Sequence, residues 1–448
     1  MCCWIQLCFV ISLVTVTNQS NAQDWADVFD PNQMLALNLE MEQSDWETIQ
    51  HDETLSIEVP AMFWIDGEKP ILIAVRRKSA DPINEGTSFD KVSLKIDINE
   101  LVSGQMWHGL RKLSIENGDD EDVVAEGMAW HLHRLASGSE GYGYTPGLAA
   151  WVTLHINGIN TGVYLNVEQP DKRYLQNRKT YIADQTWLYK VSDPNQPDRK
   201  VGGPQDSPTY DELCFLPFVD NCSAPDPTVL AKLLPKWVDM QGLLTLGALC
   251  QFGSGGDAIF TAGKNFYFAD FTFGLTRRYY PWDLDSHIPG GGMNYDIYAG
   301  NAEYASLLSI PEFRTHYSQI LNDLICGPMS EEVFLAFIDS AETLISTALE
   351  ADVNNQLEET VAERFDFLRS WFSQRYASVI SQIEGYEPCA SNPSDINEDG
   401  IVNVTDLLIL IGAWGPCDEP CLQDCLGDIN NDCVVDVADI LIMLGDWG

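Results

Sequence analysis

The last part of this 448-residue chain contains one short pattern twice, and this duplication restricts what that part can fold into. Residues 402–408 return 33 residues later as residues 435–441, and Trp414-Gly415 returns as Trp447-Gly448. A repeat of this kind indicates two copies of one supersecondary unit, here a loop followed by an apolar helix. The sequence therefore predicts a small all-α domain at 394–448, joined by a linker at 387–393 to a larger domain.

Oxygen-bearing residues alternate in front of each of these helices, in the order typical of a calcium-binding loop. Calcium takes about six to eight oxygen ligands in flexible geometry, and a glycine allows the sharp turn at position six. The oxygens of the two copies come from Asp395, Asn397, Asp399, the Ile401 carbonyl, Asn403 and Asp406, and from Asp428, Asn430, Asp432, the Val434 carbonyl, Asp436 and Asp439. Gly400 supplies the turn of the first copy, but Cys433 stands there in the second. Two such loops in tandem predict two calcium sites.

The chain is strongly acidic, with 67 Asp and Glu against 25 Lys and Arg and a formal net charge of −42. This charge repels nucleic acid and anionic membranes and attracts cations. Residues 1–22 are largely apolar and end in small residues, which is typical of an export signal. No later run is long enough for a membrane span, so we expect a secreted, soluble protein, extracellular or at the cell surface.

The cysteines agree with an oxidising compartment. Nine of the 12 cysteines follow residue 22, and none of them forms a Cys-x-x-Cys pair, so a zinc site is not expected. Cys214 and Cys222 are close enough in sequence to close one loop by a disulfide. The odd number leaves one thiol without a predicted partner.

The larger domain mixes strands and helices. Residues 30–100 alternate as strands, and Val92, Leu94 and Ile96 predict a strand whose other face, with Lys91 and Lys95, is polar. A helix is predicted at 123–135, and a hairpin turns at Asn157-Gly158. A Pro- and Gly-rich loop is predicted at 191–227, and helices at 229–246, 303–325 and 330–384. These patterns predict the α+β class.

One stretch of this domain gathers polar groups with a chemical role. It contains Asp257 after two glycines, Asn265 eight residues later, and Asp283 and Asp285 at the end of an apolar segment. On a strand, positions i and i+2 share a face, so Asp283 and Asp285 can face one ion, and carboxylates suit magnesium, manganese or calcium. The alternative is that both only end a strand and cap the turn that follows.

The order of these segments resembles the spore-coat protein H (CotH) kinase family. The similarity runs from about residue 35 to residue 386, and it is carried by 91–96, the helix around Glu126, the hairpin and residues 162–169, and the stretch just described. The resemblance implies an atypical two-lobed protein-kinase-like fold, with lobes at about 30–168 and 169–386. It also implies transfer of phosphate from ATP to serine.

The family resemblance assigns roles by position. Lys91 or Lys95 would meet the phosphates, oriented by Glu126, and Val167-Glu168 would contact adenine. Asp257 would be the catalytic acid, Asn265 would help to hold Mg²⁺ or Mn²⁺, and Asp283 or Asp285 would be the main metal ligand. The chain departs from many relatives in having Ala125 where they have arginine, and it has no Gly-x-Gly-x-x-Gly loop over the phosphates.

Two calcium loops, each followed by one helix, resemble the type I dockerin family. The resemblance implies calcium binding and docking onto a cohesin-like or cell-surface partner through Val404-Thr405 and Val437-Ala438. The chain departs from that family at Cys433, and we expect a disulfide from Cys433 to Cys425 to hold the turn that lacks glycine. Together, the two resemblances predict a secreted serine kinase on a calcium-binding docking tail. The alternative is a non-catalytic extracellular scaffold that the tail mounts on an assembly, for example one related to polysaccharides.

Overall fold

Three hydrophobic cores organise the residues that the computed structural model describes. The described residues are 25–79, 91–118, 122–137, 144–194, 196–208, 227–288, 292–300, 307–355, 357, 359–385, 389, 393–397, 402–417, 425–430 and 432–447. One core fills a β-barrel, the second and largest lies among helices and a four-stranded sheet, and the third holds the C-terminal pair of helices together.

The barrel is closed and has seven strands in the order β1-β2-β3-β4-β5-β7-β6. They are β1 Leu35–Glu40, β2 Val59–Ile65, β3 Ile71–Arg77, β4 Leu94–Asp97, β5 Lys112–Glu116, β6 Ala149–Ile156 and β7 Ile159–Val167. Only the β1–β6 closure is parallel. The strands predicted at 30–100 are confirmed, but that region also contains an unpredicted helix, α1 Gln43–Gln50.

The polar face predicted for β4 is buried, so its lysines are not solvated. All four residues of this strand are buried, and the side chains of Lys91 and Lys95 are buried as well. The alternation was read correctly, but β4 pairs with a neighbour on each side and its outer face is also covered. A strand in this position takes its lysines out of water, so each lysine needs a compensating neighbour.

Two local predictions in the barrel lobe are confirmed. The hairpin turns at Asn157 and Gly158, whose φ angles of 51° and 80° are those of the tight turn that an Asn-Gly step favours. The helix α2 runs from Val123 to Leu135. It begins there because the side chain of Asp122 accepts the amides of Val124 and Ala125, which satisfies two donors of the first turn.

The second lobe packs helices around a sheet with the order β11-β10-β8-β9. Its strands are β8 Thr186–Val191, β9 Asp198–Val201, β10 Phe266–Phe271 and β11 Arg278–Pro281. Its helices are α3 Lys172–Asn177, α4 Pro227–Trp237, α5 Met240–Phe252, α6 Pro311–Cys326, α7 Glu331–Ala351 and α8 Val361–Gln382. None of the described helices is both long enough and apolar enough to cross a membrane.

Three sequence predictions for this lobe need correction or lie outside the described residues. The single helix predicted at 229–246 is two helices, because Asp239 caps a new one by accepting the amide of Gly242. The loop predicted at 191–227 contains β9, which pairs with β8. Cys214 and Cys222 lie outside the described residues.

The C-terminal unit consists of α9 Val404–Gly412 and α10 Val437–Gly445, with a short pairing of β12 Gly415–Pro416 and β13 Val434–Val435. The two helices begin at equivalent positions of the duplicated sequence. Cys425 bonds to Cys417 and not to Cys433, so that predicted disulfide is wrong. Cys433 forms a disulfide with a partner outside the described residues.

Two other cysteine findings concern the large domain. A disulfide between Cys326 and Cys389 ties the end of α6 to the segment that leads towards the C-terminal unit. Among the described cysteines, Cys250 is free, and it is buried in the largest core. Burial raises the pKa of the Cys250 thiol to about 12. The odd number of cysteines predicts one unpaired thiol, and Cys250 is a free thiol that belongs to the core.

Candidate active site

A lysine that the sequence did not single out lies at the centre of the candidate site. Lys78 follows β3 and forms an ion pair with Glu116, the last residue of β5, because both strands end at the same edge of the barrel. Burial alone would lower the pKa of Lys78, but the carboxylates of Glu116 and Asp283 outweigh it, so the pKa is raised. Lys78 therefore stays charged at the boundary of the two lobes.

Glu126 brings a second buried carboxylate to this boundary from the first turn of α2. Its Oε1 accepts a hydrogen bond from Nε1 of Trp130 at 3.1 Å. Burial raises the pKa of Glu126 well above its usual value, and the nearby carboxylates of Glu116 and Asp285 raise it further. Three carboxylates therefore share a region from which water is largely excluded, and a cation is the group that would relieve their repulsion.

Trp282 joins the two lobes at this point. The Nζ atoms of Lys78, from the barrel lobe, and Lys190, from β8, lie 5.0 and 5.4 Å from the centroid of the indole ring. Burial lowers the pKa of Lys190, and the carboxylate of Asp283 counteracts the shift. The ring of Tyr267 packs edge-on against Trp282 at 5.4 Å. The site thus has an aromatic wall with a cation from each lobe beside it.

Asp283 and Asp285 do not lie on a strand, and the prediction that they share a strand face is wrong. β11 ends at Pro281, and Asp283 has a φ of 59°, in the left-handed region. Oδ1 of Asp285 accepts the amide of Ser286 at 2.8 Å, as in the turn-capping alternative. Both carboxylates are nevertheless close enough to affect the cluster. Asp283 raises the pKa of Lys78, and Asp285 raises the pKa of Glu126. A turn, and not a strand, presents them.

Asp257 and Asn265 are brought together, and Asn265 directly precedes β10. Oδ2 of Asp257 accepts bonds from Nζ of Lys264 at 2.7 Å and from Nδ2 of Asn265 at 3.4 Å. The side chain of Asp257 is 42% exposed, so it can meet a group arriving from solvent. Ser254 and Asn265 both have positive φ angles, 59° and 60°. Backbone held in this sparsely populated region is frequent at functional sites.

A buried histidine supports the loop that carries Asp257. A Cβ added to Gly255 would lie 2.8 Å from the His287 ring, so the loop can approach the ring only because glycine stands there. Neither ring nitrogen of His287 has a hydrogen-bond partner in the described part of the chain. Burial lowers the pKa of His287 to about 4, with the Asp257 carboxylate opposing the shift. At neutral pH the ring is therefore an uncharged support.

Lys91 and Lys95, which the sequence analysis assigned to the phosphates, do not lie at the centre of the candidate site. Nζ of Lys91 lies 2.8 Å from Oδ2 of Asp352, with both side chains almost fully buried, so Lys91 is outside the cluster. Lys95 is next to the cluster, since Lys78 and Glu116 both act on its charge, but burial lowers its pKa well below the usual value. Of the two, only Lys95 lies near the candidate site.

The segment predicted to contact adenine is used by the protein itself. Val167 ends β7 as the register partner of Ser114 and Ala149. The amide of Glu168 donates to the Leu148 carbonyl at 2.7 Å, and its carboxylate accepts two bonds from Arg178, at 2.9 and 2.7 Å. The backbone amide and the side chain of Glu168 are thus engaged inside the protein, and the adenine contact of this segment stays a prediction.

Sequence reasoning missed Lys78, Glu116, Lys190 and the support from His287. The signal for Lys78 was its position at the end of the β-rich run, after Arg76 and Arg77. No local pattern marks the others as a group, because they come from separate strands and a turn.

The C-terminal loops repeat one set of contacts. Asp406 accepts the amides of Ile396, Asn397 and Asn403, at 2.9, 3.1 and 2.9 Å. Asp439 accepts those of the equivalent residues Ile429, Asn430 and Asp436, at 2.8, 3.1 and 2.8 Å. Both acids are fully buried, and each anchors its loop to the start of its helix. Asp399 and Ile401 lie outside the described residues.

The other predicted loop residues are organised differently. Asp428 accepts the amides of Asp432 and Cys433, and Asp432 accepts from the side chain of Asn430 and the amide of Val434. The side chains of Asn403 and Asp436 cap α9 and α10. Asp395 and Asn397 belong to the described residues and lie in the turn before α9.

Comparison with known proteins identifies the family of the large domain. A search of curated proteins gives no match. Among solved structures, a hydra Fam20 determined with sugar aligns over 80% of this chain and 89% of its own, at 11% identity and a TM-score of 0.25, which is too low to carry an argument. The family model described as CotH kinase protein matches residues 84–379, well over half of the chain. Because this match covers more than half of the chain, the chain belongs to the CotH kinase protein family.

Proposed function

We propose that this protein is an exported kinase that transfers phosphate from ATP to serine hydroxyls of secreted or surface proteins. The observation that carries the proposal is the half-buried Lys78–Glu116 pair, flanked by Glu126, Asp283 and Asp285. Phosphoryl transfer needs cations on the phosphates, carboxylates for metal and an acid for the hydroxyl. This cluster has the cations and the carboxylates, and we assign the role of the acid to Asp257.

Lys78 takes the phosphate-binding role that the sequence assigned to Lys91 or Lys95. It stays charged, and Glu116 fixes its ammonium. Lys190, on β8 of the other lobe, adds a second cation beside the same indole ring, that of Trp282. In a chain of net charge −42, two lysines that converge on one cleft favour a polyanionic ligand such as a nucleotide.

The donor set fits Mg²⁺ or Mn²⁺. Glu126, Asp283 and Asp285 offer hard carboxylate oxygens, and Asn265 offers an amide oxygen nearby. Burial raises the pKa of Glu126, and the nearby carboxylates of Glu116 and Asp285 raise it further; a divalent ion would offset this repulsion. When bound, the ion would neutralise charge on the phosphates; these four residues would hold it.

Asp257 would orient the serine hydroxyl and accept its proton. It is the exposed acid of the site, and Lys264 and Asn265 hold its Oδ2 in place. Such a carboxylate can take up a proton from an incoming hydroxyl without first leaving a buried ion pair. His287 would act as a positioning residue, because its ring lies against the loop that carries Asp257.

The test is phosphate transfer from labelled ATP with Mn²⁺ or Mg²⁺ by the purified full chain, to itself or to acidic secreted proteins. We expect Lys78→Met and Asp257→Asn to remove at least about 99% of the transfer, as is usual for groups that act on the reacting atoms. Lys236→Met, an exposed lysine on α4, is the matched control and should keep it. Absence of both transfer and nucleotide binding in the unmodified chain would refute the proposal.

For the C-terminal unit we propose calcium binding and docking. A specific observation favours docking: the duplicated helices expose equivalent apolar side chains, Val404 and Leu408 on α9, and Val437 and Leu441 on α10, each more than half exposed. Monomeric proteins rarely leave such a patch uncovered. A cohesin-like or cell-surface partner would cover it.

The docking unit also supports the second candidate function, a non-catalytic scaffold. In cells, Asp257→Ala and Asp395→Ala separate the two functions. Loss of function only with Asp257→Ala supports the kinase, and loss only with Asp395→Ala supports the scaffold. Calcium titration of the full chain by calorimetry tests the loops directly, and Asp395→Ala should remove one of two binding events.

A further inference from the structure

Three side chains form a straight row across the outer face of the barrel. Trp64 on β2, Asn38 on β1 and His155 on β6 are register partners, with Asn38 in the middle. All three are half-buried, while their neighbours Leu37 and Leu39 point into the barrel core. An aromatic ring, an amide and an imidazole therefore lie side by side on one sheet face.

This row lines a groove with the volume of a ligand site. The groove measures about 410 Å³, within the range of about 300–1,000 Å³ that is typical of small-molecule sites. Glu40 extends its wall along β1, and Asn157, at the β6–β7 turn, closes one end. Asn157 is fixed there because its side chain accepts the amide of Met41 at 2.9 Å.

The polar groups of the groove are only weakly used by the protein. Nδ2 of Asn38 has three contacts, at 3.4, 3.5 and 3.5 Å, all at the long limit for a hydrogen bond. Nδ1 of His155 is buried and has no hydrogen-bond partner in the part of the chain that the structure describes. Glu40 is exposed and forms no ion pair with any described residue. Asn38 and Glu40 can therefore bond to a ligand that brings several hydroxyls.

The charge of the groove defines the class of ligand. None of its lining residues is lysine or arginine, and Glu40 gives it a negative charge, so an anion is disfavoured. An indole face beside hydrogen-bonding groups suits a molecule with one apolar face and a polar edge. We propose that this groove binds a neutral oligosaccharide, with one sugar ring against Trp64, beside the His155 ring, and its hydroxyls bonded to Asn38 and Glu40.

The groove is separate from the candidate active site. In the closed barrel, β1 lies across from β4 and β5, and Lys78 and Glu116 belong to the β3–β5 side. Saccharide binding would therefore retain the protein on a glycan while the cleft stays open. Since the two sites share no residue, the kinase proposal and the saccharide proposal can fail independently.

The test is calorimetric titration of the full chain with cellohexaose, xylohexaose and mannohexaose, and with oligogalacturonate as the anionic probe. We expect at least one neutral hexasaccharide to bind, and Trp64→Ala to weaken it about tenfold or more, because loss of an aromatic stack of about 1.5 kcal/mol has that effect. Trp64→Phe should restore part of the affinity.

Two further variants keep the result interpretable. Asn38→Ala tests the groove without removing a large side chain, and it should weaken binding. It therefore provides the test if the barrel of Trp64→Ala does not fold. Trp414→Ala removes a half-exposed tryptophan from the C-terminal unit and is the control that should leave binding unchanged. The proposal is wrong if no neutral probe binds, if only oligogalacturonate binds, or if both groove variants bind like the unmodified chain.

Discussion

The buried ion pair of Lys91 and Asp352 connects the two lobes, and its removal gives the most quantitative prediction. Asp352 follows α7, and its Oδ2 accepts both Nζ of Lys91 at 2.8 Å and the amide of Val163 in β7 at 2.9 Å. The two charged side chains are 1% and 0% exposed. A Cβ on Gly162 would lie 2.3 Å from Asp352, so the carboxylate sits directly against the barrel backbone.

We expect Asp352→Asn to lower the free energy of unfolding by about 3–5 kcal/mol, because it leaves a buried lysine without a counter-charge. Lys91→Met should cost less, since Asp352 keeps its bonds to the amides of Val163 and Asn354. The double variant should recover most of the loss, because a buried ion pair can often be replaced by apolar groups. The double-mutant cycle then gives the coupling energy of the pair.

The pH dependence has a defined sign. Burial lowers the pKa of Lys91 below its usual value, and Asp352 opposes this shift. Between the native pKa and the unfolded value, the unfolded chain binds more protons, so stability rises with pH. Without Asp352 the native pKa falls further and this window extends to lower pH. The loss caused by Asp352→Asn should therefore shrink as the pH is raised from about 7 to about 9.

Urea unfolding followed by tryptophan fluorescence measures these differences. Arg314 and Glu384 provide the matched control, because they are 2.7 Å apart but 34% and 57% exposed, and Glu384→Gln should cost only about 0–1 kcal/mol. A loss as small as this for Asp352→Asn, or a double variant no more stable than that single variant, would show that the Lys91 charge is not buried as described.

Three further predictions concern the sites. Asp283→Ala should abolish the rise in melting temperature that ATP with Mn²⁺ gives to the unmodified chain. Asp323→Ala, on α6, is the control and should keep this rise. An equal rise in both variants would show that Asp283 does not belong to the site. Gly255→Ala should lower phosphate transfer at least about tenfold without loss of nucleotide binding, because the new Cβ meets the His287 ring; unchanged transfer would refute the positioning role. Chelation of calcium should lower the stability of the C-terminal unit, as tested by proteolysis with and without EDTA, and Asp439→Asn should mimic chelation at one loop.

The sequence predicted those parts of the fold whose cause is local. The Asn-Gly hairpin and helix α2 follow from a turn dipeptide, a capping aspartate and the spacing of apolar residues. The sequence placed Asp257 and Asn265 in one site because eight residues separate them. It misjudged Lys91, because the partner that makes its burial possible lies 261 residues away. Alternation shows which faces a strand has, but not what the rest of the chain packs against them.

The lysines that are buried or half-buried give a second physical argument for an anionic ligand. Lys91 is explained by its ion pair, but Lys95 and Lys190 form no ion pair with any described residue, and burial lowers the pKa of both. Removing these side chains from water without a full counter-charge disfavours their charged form and lowers the stability of the protein. The chain has only 25 basic residues. Lysines that stay exposed to solvent would not lower its stability in this way. Because phosphate oxygens would provide the missing negative charge for these lysines, nucleotide binding should raise their pKa values and stabilise the two lobes together.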